Sequence, residues 1–441
     1  MSRGCTCSNR RGAAAATRSP IRAVWNSLLA GVVFQHPSVA ALRRELRRNA
    51  ELRQRCGFDP LLGEAAVPTD SAYSHFLEAL LEHGEPVRDL FHQLVEALRP
   101  HLPDLGRYLA IDGKALPSFG KPEKKAPASP ASAGKTDPGE PAAAPGPPPA
   151  APDRRRDHDA DWGVKTYRGK RADGTAWEKV VKWFGFELHL LVDATYELPL
   201  NYKVTKASAA ETVELLPLVE ETEARHPEVL AQAEQLAADK GYDSTANNRE
   251  LYDEYGIHPI IDKRSDWKDT TDPTRPLFPD RVDTIVYDVK GAISCICPVT
   301  DEQRPMAPWG FEPDRGTLKY RCPAAANDFE CQGRAQCPGA QTPYGRIVRI
   351  PIETDRRLFT PVARDSAAWA RGYDRRTAVE RVNSRLDRVL GFEQHTIRGL
   401  QKMETRVGIA LVVLLAMALG RIQVGQRDQM RSLLAPVKRA A

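Results

Sequence analysis

The sequence predicts an α/β chain with a helical segment ahead of it, and three observations carry that reading. Between residues 107 and 262, strand-like and helix-like patterns alternate. From 21 to 100 the apolar residues recur at helical spacing only. Near the end, residues 372–390 read as an amphipathic helix, followed by an apolar helix around 403–422. The chain has 441 residues, so more than one structural unit is expected, and 41% hydrophobic residues suffice for a core. A formal net charge of +5 says little about nucleic acid, so local runs have to be read instead.

Residues 1–20 are small, polar and basic, and are expected to be disordered. Residues 21–104 read as a compact helical unit. Val39, Leu42 and Leu46 make one apolar stripe, with Arg43, Arg44, Arg47 and Arg48 mostly away from it. Tyr73, Phe76, Leu77, Leu80 and Leu81 make a second, with Thr69 or Asp70 as its cap. Val87, Phe91, Leu94, Val95 and Leu98 repeat the pattern. Segment 43–55 carries six arginines against two glutamates, which suits phosphate contacts or a solvated helix face.

Residues 107–112 alternate like a strand, with Tyr108, Ala110 and Asp112 on one face. Gly113 then turns the chain, since Asp-Gly is a common hairpin signal. Residues 121–152 are low-complexity and cannot bury a core, and 153–161 extend them as a charged, solvated linker. Order returns at about Trp162. A buried strand follows at 183–193 and its antiparallel neighbour at 198–205. His189 reads as a core histidine and Asp193 as a carboxylate at a strand-to-turn junction. Residues 211–225 are helical, with Pro217 starting or kinking the helix. A short strand then delivers Asp239 to its carboxyl end, Ser244 caps a helix over 245–255, and a last strand covers 258–262.

Residues 263–357 interrupt the alternation. They are rich in Asp, Arg, Pro and Gly, carry five of the eight cysteines, and suggest short strands at 284–289 and 346–352. The core resumes over 358–425, and 426–441 form a tail. Residues 407–420 are apolar but too short to cross a bilayer, and read as a buried helix. The polar start shows no signal-peptide pattern. The expectation is a reduced, cytoplasmic protein with no membrane association, in which the late cysteines suggest metal rather than disulfides. Cys322, Cys331 and Cys337, with Cys297 or Cys295 as a fourth ligand, are candidates for a structural Zn²⁺ site. The spacing lacks a CxxC pair, so free thiols in a small β module remain the other reading. Trp267 and Trp309 either pack or stack on an extruded base.

On the 372–390 helix, Val379, Val382, Leu386 and Val389 face a core, and Gly391 follows as a C-cap. A second stripe holds Tyr373, Arg376, Glu380, Asn383 and Asp387. It reads either as a solvated face or as a carboxylate placed beside groups for a DNA backbone. Tyr373-x2-Arg376-x3-Glu380 resembles the signature helix of DDE transposases of bacterial insertion sequences, whose fuller pattern is Y-x2-R-x3-E-x6-K. Here Asp387 stands at the lysine position, with Arg388 next to it. AIDGK at 110–114, LHLLVD at 188–193 and ADKGYDS at 238–244 match further pieces in the right order.

The resemblance implies a ribonuclease-H-like catalytic core, with the cysteine-containing, partly β insertion placed before the last core helices. It implies Asp112, Asp239 and Glu380 as catalytic carboxylates holding two Mg²⁺ ions, with Mn²⁺ able to substitute. It also implies Tyr373 and Arg376 on DNA phosphates, double-stranded DNA as element ends and target, and a homodimer on paired ends. A metal-dependent nuclease of the same fold and a non-enzymatic DNA-binding derivative are the rival readings.

Overall fold

The computed structural model describes residues 20–83, 85–122, 155–265, 267, 273–280 and 283–433. The expected disordered start, most of the low-complexity stretch and the end of the tail lie outside these residues. The chain divides into two units, Met1–Gly84 and Glu85–Ala441.

The first unit is helical: α1 (Ile21–Val33), α2 (Val39–Arg48), α3 (Ala50–Cys56), a 3-10 segment (Pro60–Ala66) and α4 (Asp70–Glu82). Each start is fixed locally where a short polar side chain precedes the apolar pattern. Ser38, Asn49 and Thr69 accept from the backbone N–H groups of Ala41, Leu52 and Ala72. Leu42, Leu46, Leu52, Phe58 and Tyr73 form the core, and the Tyr73 hydroxyl is satisfied by Ser27 Oγ at 2.6 Å. The helical unit expected over 21–104 is therefore shorter. The last of its helices, α5 (Pro86–Leu98), belongs to the second unit, where Phe91 meets Tyr202 edge-on and Arg88 pairs with Glu221 at 2.6 Å.

The second unit is built on a sheet of β1 (Tyr108–Pro117), β2 (Asp161–Lys170), β3 (Ala176–Asp193), β4 (Leu198–Lys206), β5 (Gln235–Ala238) and β6 (His258–Ile261). The first half of β3 pairs with β2; its second half lies between β1 and β4, all antiparallel. β5 joins β1 in parallel, and β6 joins β5 in parallel. Leu188, Leu190, Leu191 and Val192 are fully buried, as expected of a central strand covered on both faces. Between β4 and β5 come α6 (Leu215–Arg225) and α7 (Pro227–Leu230), and between β5 and β6 comes α8 (Thr245–Asp253), with Ser244 accepting from Asn247 N–H at 3.0 Å.

Two local expectations fail. Gly113 does not turn the chain: β1 runs straight through it, opposite His189, because the ladder to β3 continues as far as Pro117 and outweighs the Asp-Gly preference. Residues 155–161 are not a solvated linker. Asp157 is buried, and the carboxylates of Asp157 and Asp159 accept from Gly399 and Leu400 N–H at 2.9 and 3.1 Å. They occupy the positive end of a later helix, where orphan N–H groups need acceptors. Strand β2, unforeseen, starts at Asp161.

The insertion holds a four-stranded sheet of β7 (Thr274–Pro276), β8 (Ile285–Asp288), β9 (Ile293–Ile296) and β10 (Gln303–Pro305). It also holds a three-stranded sheet of β11 (Ala307–Glu312), β12 (Thr317–Arg321) and β13 (Ile347–Pro351), with α9 (Pro323–Asn327) after β12. Ile285, Ile293, Leu318, Tyr320, Val348 and Ile350 share one core. Three helices close the chain: α10 (Ala367–Asp374), α11 (Thr377–Leu390) and α12 (Leu400–Gln423). The helix expected over 372–390 is thus broken at residues 375–376, and Gly391 ends it at φ 58°. By length and composition α12 is long enough to cross a membrane, longer than expected. Met403, Val407, Leu411 and Leu415 are buried, and Gly408 allows close approach, since a Cβ there would lie 2.5 Å from Tyr202 Oη and 2.7 Å from Val87.

Gly185 is the tightest point of the sheet. It faces Pro117 and Asp161 across the ladder, and a Cβ would lie 2.2 Å from Leu116 O and 2.6 Å from Ser118 N. Backbone cannot yield as a flexible side chain does. Gly185→Ala is expected to destabilise the second unit by about 3 kcal/mol, read as a lower urea midpoint. An unchanged midpoint would show that the two strands separate easily.

Candidate active site

Residues Ile111 and Ala238 face each other on the parallel pair β1–β5. Asp112 and Asp239 come next on each chain, so they leave the same register step about 4.8 Å apart. Asp112 Oδ1 accepts from Gly113 N–H at 2.9 Å, and Asp239 Oδ1 from Gly241 N–H at 2.6 Å as the chain enters a 3-10 turn. Glu380 stands in the first turn of α11. One guanidinium joins it to the first strand: Arg376 Nη1 lies 3.0 Å from Asp112 Oδ2, and Nη2 lies 2.8 Å from Glu380 Oε1. The helix break sets this up by placing Arg376 at the start of α11, while Tyr373, at the end of α10, stacks on Trp369 at 5.0 Å and 9°.

Burial pushes the Asp112 carboxyl up to about 6, with the Asp239 charge adding to the rise and Arg376 and Lys165 opposing it. Asp239 is also raised, first by burial and then by Glu211. The sequence reading missed Glu211 and its neighbour Glu187. Lys165 Nζ, on β2, lies 2.8 Å from a carboxylate oxygen of each and donates to Gly113 O at 3.1 Å. A Cβ on Gly113 would lie 2.6 Å from Glu187 Oε1, and one on Gly241 would lie 1.5 Å from Glu211 Oε2. The two glycines therefore let these acids press against the backbone that carries Asp112 and Asp239. Glu187 carried a legible signal: it is a lone acid inside an apolar strand, which requires a buried partner. Burial raises its carboxyl pKa as well.

A raised pKa does not by itself mark the site. Asp193 is also pushed up to about 6 by burial, yet it accepts from Gly106 and Tyr196 N–H and is fully enclosed. Its role is structural. His189 lies between Tyr242 Oη and Thr205 Oγ1 at 3.1 and 3.0 Å and is a core histidine, lowered to about 4 by burial.

Beside Glu380, an open groove of about 360 Å³ is lined by Gly113, Lys114, Asn383, Ser384, Asp387 and Arg388. Lys114 shares the Asp112 face of β1. Its ammonium lies 2.6 Å from Asp387 and 3.6 Å from Glu393. The residue that replaces lysine in the helix pattern therefore holds a lysine delivered by a strand. In the separate helical unit, Arg43 is not free for DNA: it donates to Pro68 O at 2.8 Å and pairs with Asp70, with its side chain 11% exposed. Arg44, Arg47 and Arg48 are exposed. Trp267 stacks against Arg275, and Trp309, exposed, lies under Arg321. Among the described residues, no three Asp, Glu, His or Cys side chains already converge on one ion position. Asp112 and Asp239 adjoin as oxygen donors, and the charge between Asp112 and Glu380 is supplied by Arg376.

The family model described as transposase DDE domain matches residues 106–416. No curated protein matches the chain.

Proposed function

Because the chain belongs to the transposase DDE domain family, we propose that it binds the terminal inverted repeats of a bacterial insertion sequence, cleaves there, and joins the freed 3′ ends to target DNA. The observation that supports this reading is that Asp112 and Asp239 adjoin at the end of the β1–β5 pairing while Arg376 bridges Asp112 to Glu380. The core is taken as ribonuclease-H-like, supported by the path β4-β3-β1-β5-β6 with its first two pairings antiparallel and the rest parallel.

Asp112, Asp239 and Glu380 would hold two Mg²⁺ ions, for which Mn²⁺ can substitute. The donor set fits: it is all oxygen, and its most buried carboxyl is reluctant to carry charge alone. Bound there, the cations supply charge that activates the attacking oxygen and stabilises the leaving one. The chain does the rest. Arg376 neutralises Asp112 and Glu380 and keeps them on one side. Lys165 holds Glu187 and Glu211 behind them. Tyr373, Arg388 and Lys114 border the path for the DNA backbone, and Lys114 provides the ammonium that α11 lacks. Arg44, Arg47 and Arg48 present charge to DNA in the helical unit. Two chains on paired ends, working in the cytoplasm, complete the reading.

Labelled element ends with Mg²⁺ test it. Cleavage followed by strand-transfer products is expected. Cleavage without joining would make the protein a nuclease, and binding without cleavage in Mg²⁺ or Mn²⁺ would make it a DNA-binding derivative.

A further inference from the structure

Five cysteines from three stretches of the insertion line one pocket, about 50 Å³ in volume. Cys295 and Cys297 come from the four-stranded sheet, Cys322 follows β12, and Cys331 and Cys337 lie on the connection from α9 to β13. All five are free thiols. Four of them share a local geometry, with each backbone carbonyl closing a turn. Cys297 O accepts from Asp301 N–H, Cys322 O from Ala326, Cys331 O from Arg334, and Cys337 O from Ala340. Such turns bring the N–H groups that follow a cysteine round towards its sulfur. At Cys297 this is realised: the Thr300 hydroxyl and the N–H groups of Val299, Thr300 and Gly333 reach the sulfur. Cys295 lies on a strand and has no such turn.

The connection itself needs a cross-link. From residue 328 to 346 there is no strand, and the buried residues are Gly333 and Gly339. Phe329 and Tyr344 are exposed. Phe329 packs under Arg304 and Tyr344 against Arg321, but a segment of that length with no fully buried large apolar side chain is not expected to hold one conformation alone.

We propose that Cys297, Cys322, Cys331 and Cys337 form a closed tetrathiolate Zn²⁺ site that ties the α9–β13 connection to both sheets of the insertion. The thiols turn inward from the pocket wall to bind, each cysteine losing its proton as a Zn–S bond forms. Hydrogen bonds from the turns offset the thiolate charge. Cys295, held on its strand, stays outside the ligand set. This site is structural and independent of the carboxylate chemistry.

Full-length protein purified without chelator is expected to carry one zinc per chain by elemental analysis. Co²⁺ exchanged into it should show the thiolate-to-metal charge-transfer absorption of a four-sulfur site. 1,10-Phenanthroline should lower the melting temperature and open residues 328–346 to proteolysis. Cys331→Ser and Cys337→Ser should lose the metal, whereas Cys295→Ser and Cys56→Ser should keep it. A metal-free or iron-containing chain, five thiols all reactive to a disulfide reagent in folded protein, or a melting temperature indifferent to the chelator would each overturn the proposal. The chelator experiment on the unmutated chain decides the matter even if a serine variant fails to fold.

Discussion

Asp112→Asn is expected to abolish Mg²⁺-dependent cleavage while making the metal-free protein more stable. The two effects share a cause. In the fold, burial and the Asp239 charge lift the Asp112 carboxyl from 3.8 to about 6. A carboxyl whose folded pKa lies above its unfolded one is charged at a cost. That cost is fully present above about pH 6 and is gone below about pH 4, so this group alone makes the metal-free fold more stable as pH falls through that window. The rise corresponds to about 3 kcal/mol. Asparagine keeps the shape and removes the charge, so in EDTA at pH 8 the variant should melt higher, and at pH 4 the two proteins should coincide. With Mg²⁺ the same change removes a negative oxygen ligand, and a loss of about 4 kcal/mol in the transition state lowers the rate about a thousandfold. Asp239→Asn and Glu380→Gln should also stop cleavage, with binding to element ends retained through other phosphate contacts. Asp193→Asn is the control. Its carboxyl is raised equally, but it serves the Gly106 and Tyr196 N–H groups, so stability should fall while the metal ligands remain. Substantial cleavage by Asp112→Asn, or a lower melting point in EDTA at pH 8, would remove Asp112 from the site.

What was legible in the sequence was local. Ser244 caps α8 and Gly391 ends α11 because each acts on backbone groups within a few residues. The buried half of β3 announces itself by an apolar run interrupted only by Glu187 and His189 before Asp193. Asp112, Asp239 and Glu380 could be nominated from motif order, but nothing local shows how they sit relative to one another. That depends on the parallel register of Ile111 with Ala238 and on the reach of Arg376. The errors have the same origin. Asp-Gly at 112–113 is a turn signal until the neighbouring strand β3 claims its backbone. Residues 155–161 look like linker until the N-terminus of α12 supplies N–H groups for Asp157 and Asp159. The basic run at 43–55 looks uniform, yet Arg43 is spent on Pro68 and Asp70 and Arg48 pairs with Glu45 while staying exposed, so only packing separates Arg43 from Arg44 and Arg47.

Reversing Lys114 is expected to have the second largest effect, and restoring the pair in the opposite sense should recover most of it. In the helix pattern Asp387 looks like a lost cation, because sequence spacing follows one element at a time. Across elements the cation is present: Lys114 on β1 lies 2.6 Å from Asp387, with both side chains largely shielded, 11% and 24% exposed. Lys114→Asp leaves two carboxylates facing each other, with Glu393 close to the same position and Glu380 bordering the groove. Losing one partner of a shielded pair should destabilise the fold by about 3 kcal/mol, and removing an ammonium from the groove should cut cleavage about a hundredfold, in line with a lost phosphate contact of about 3 kcal/mol. Asp387→Lys alone sets two ammonium groups against each other and should also destabilise. The double variant Lys114→Asp/Asp387→Lys puts the lysine on α11 and the acid on β1, so the ion pair reforms with its charge still lining the groove. Urea midpoints of the four proteins give the coupling energy directly. A double variant no more stable than the two single effects added together would show that the pair is not coupled. One that regains stability but not cleavage would show that the ammonium supports the fold and does not touch DNA.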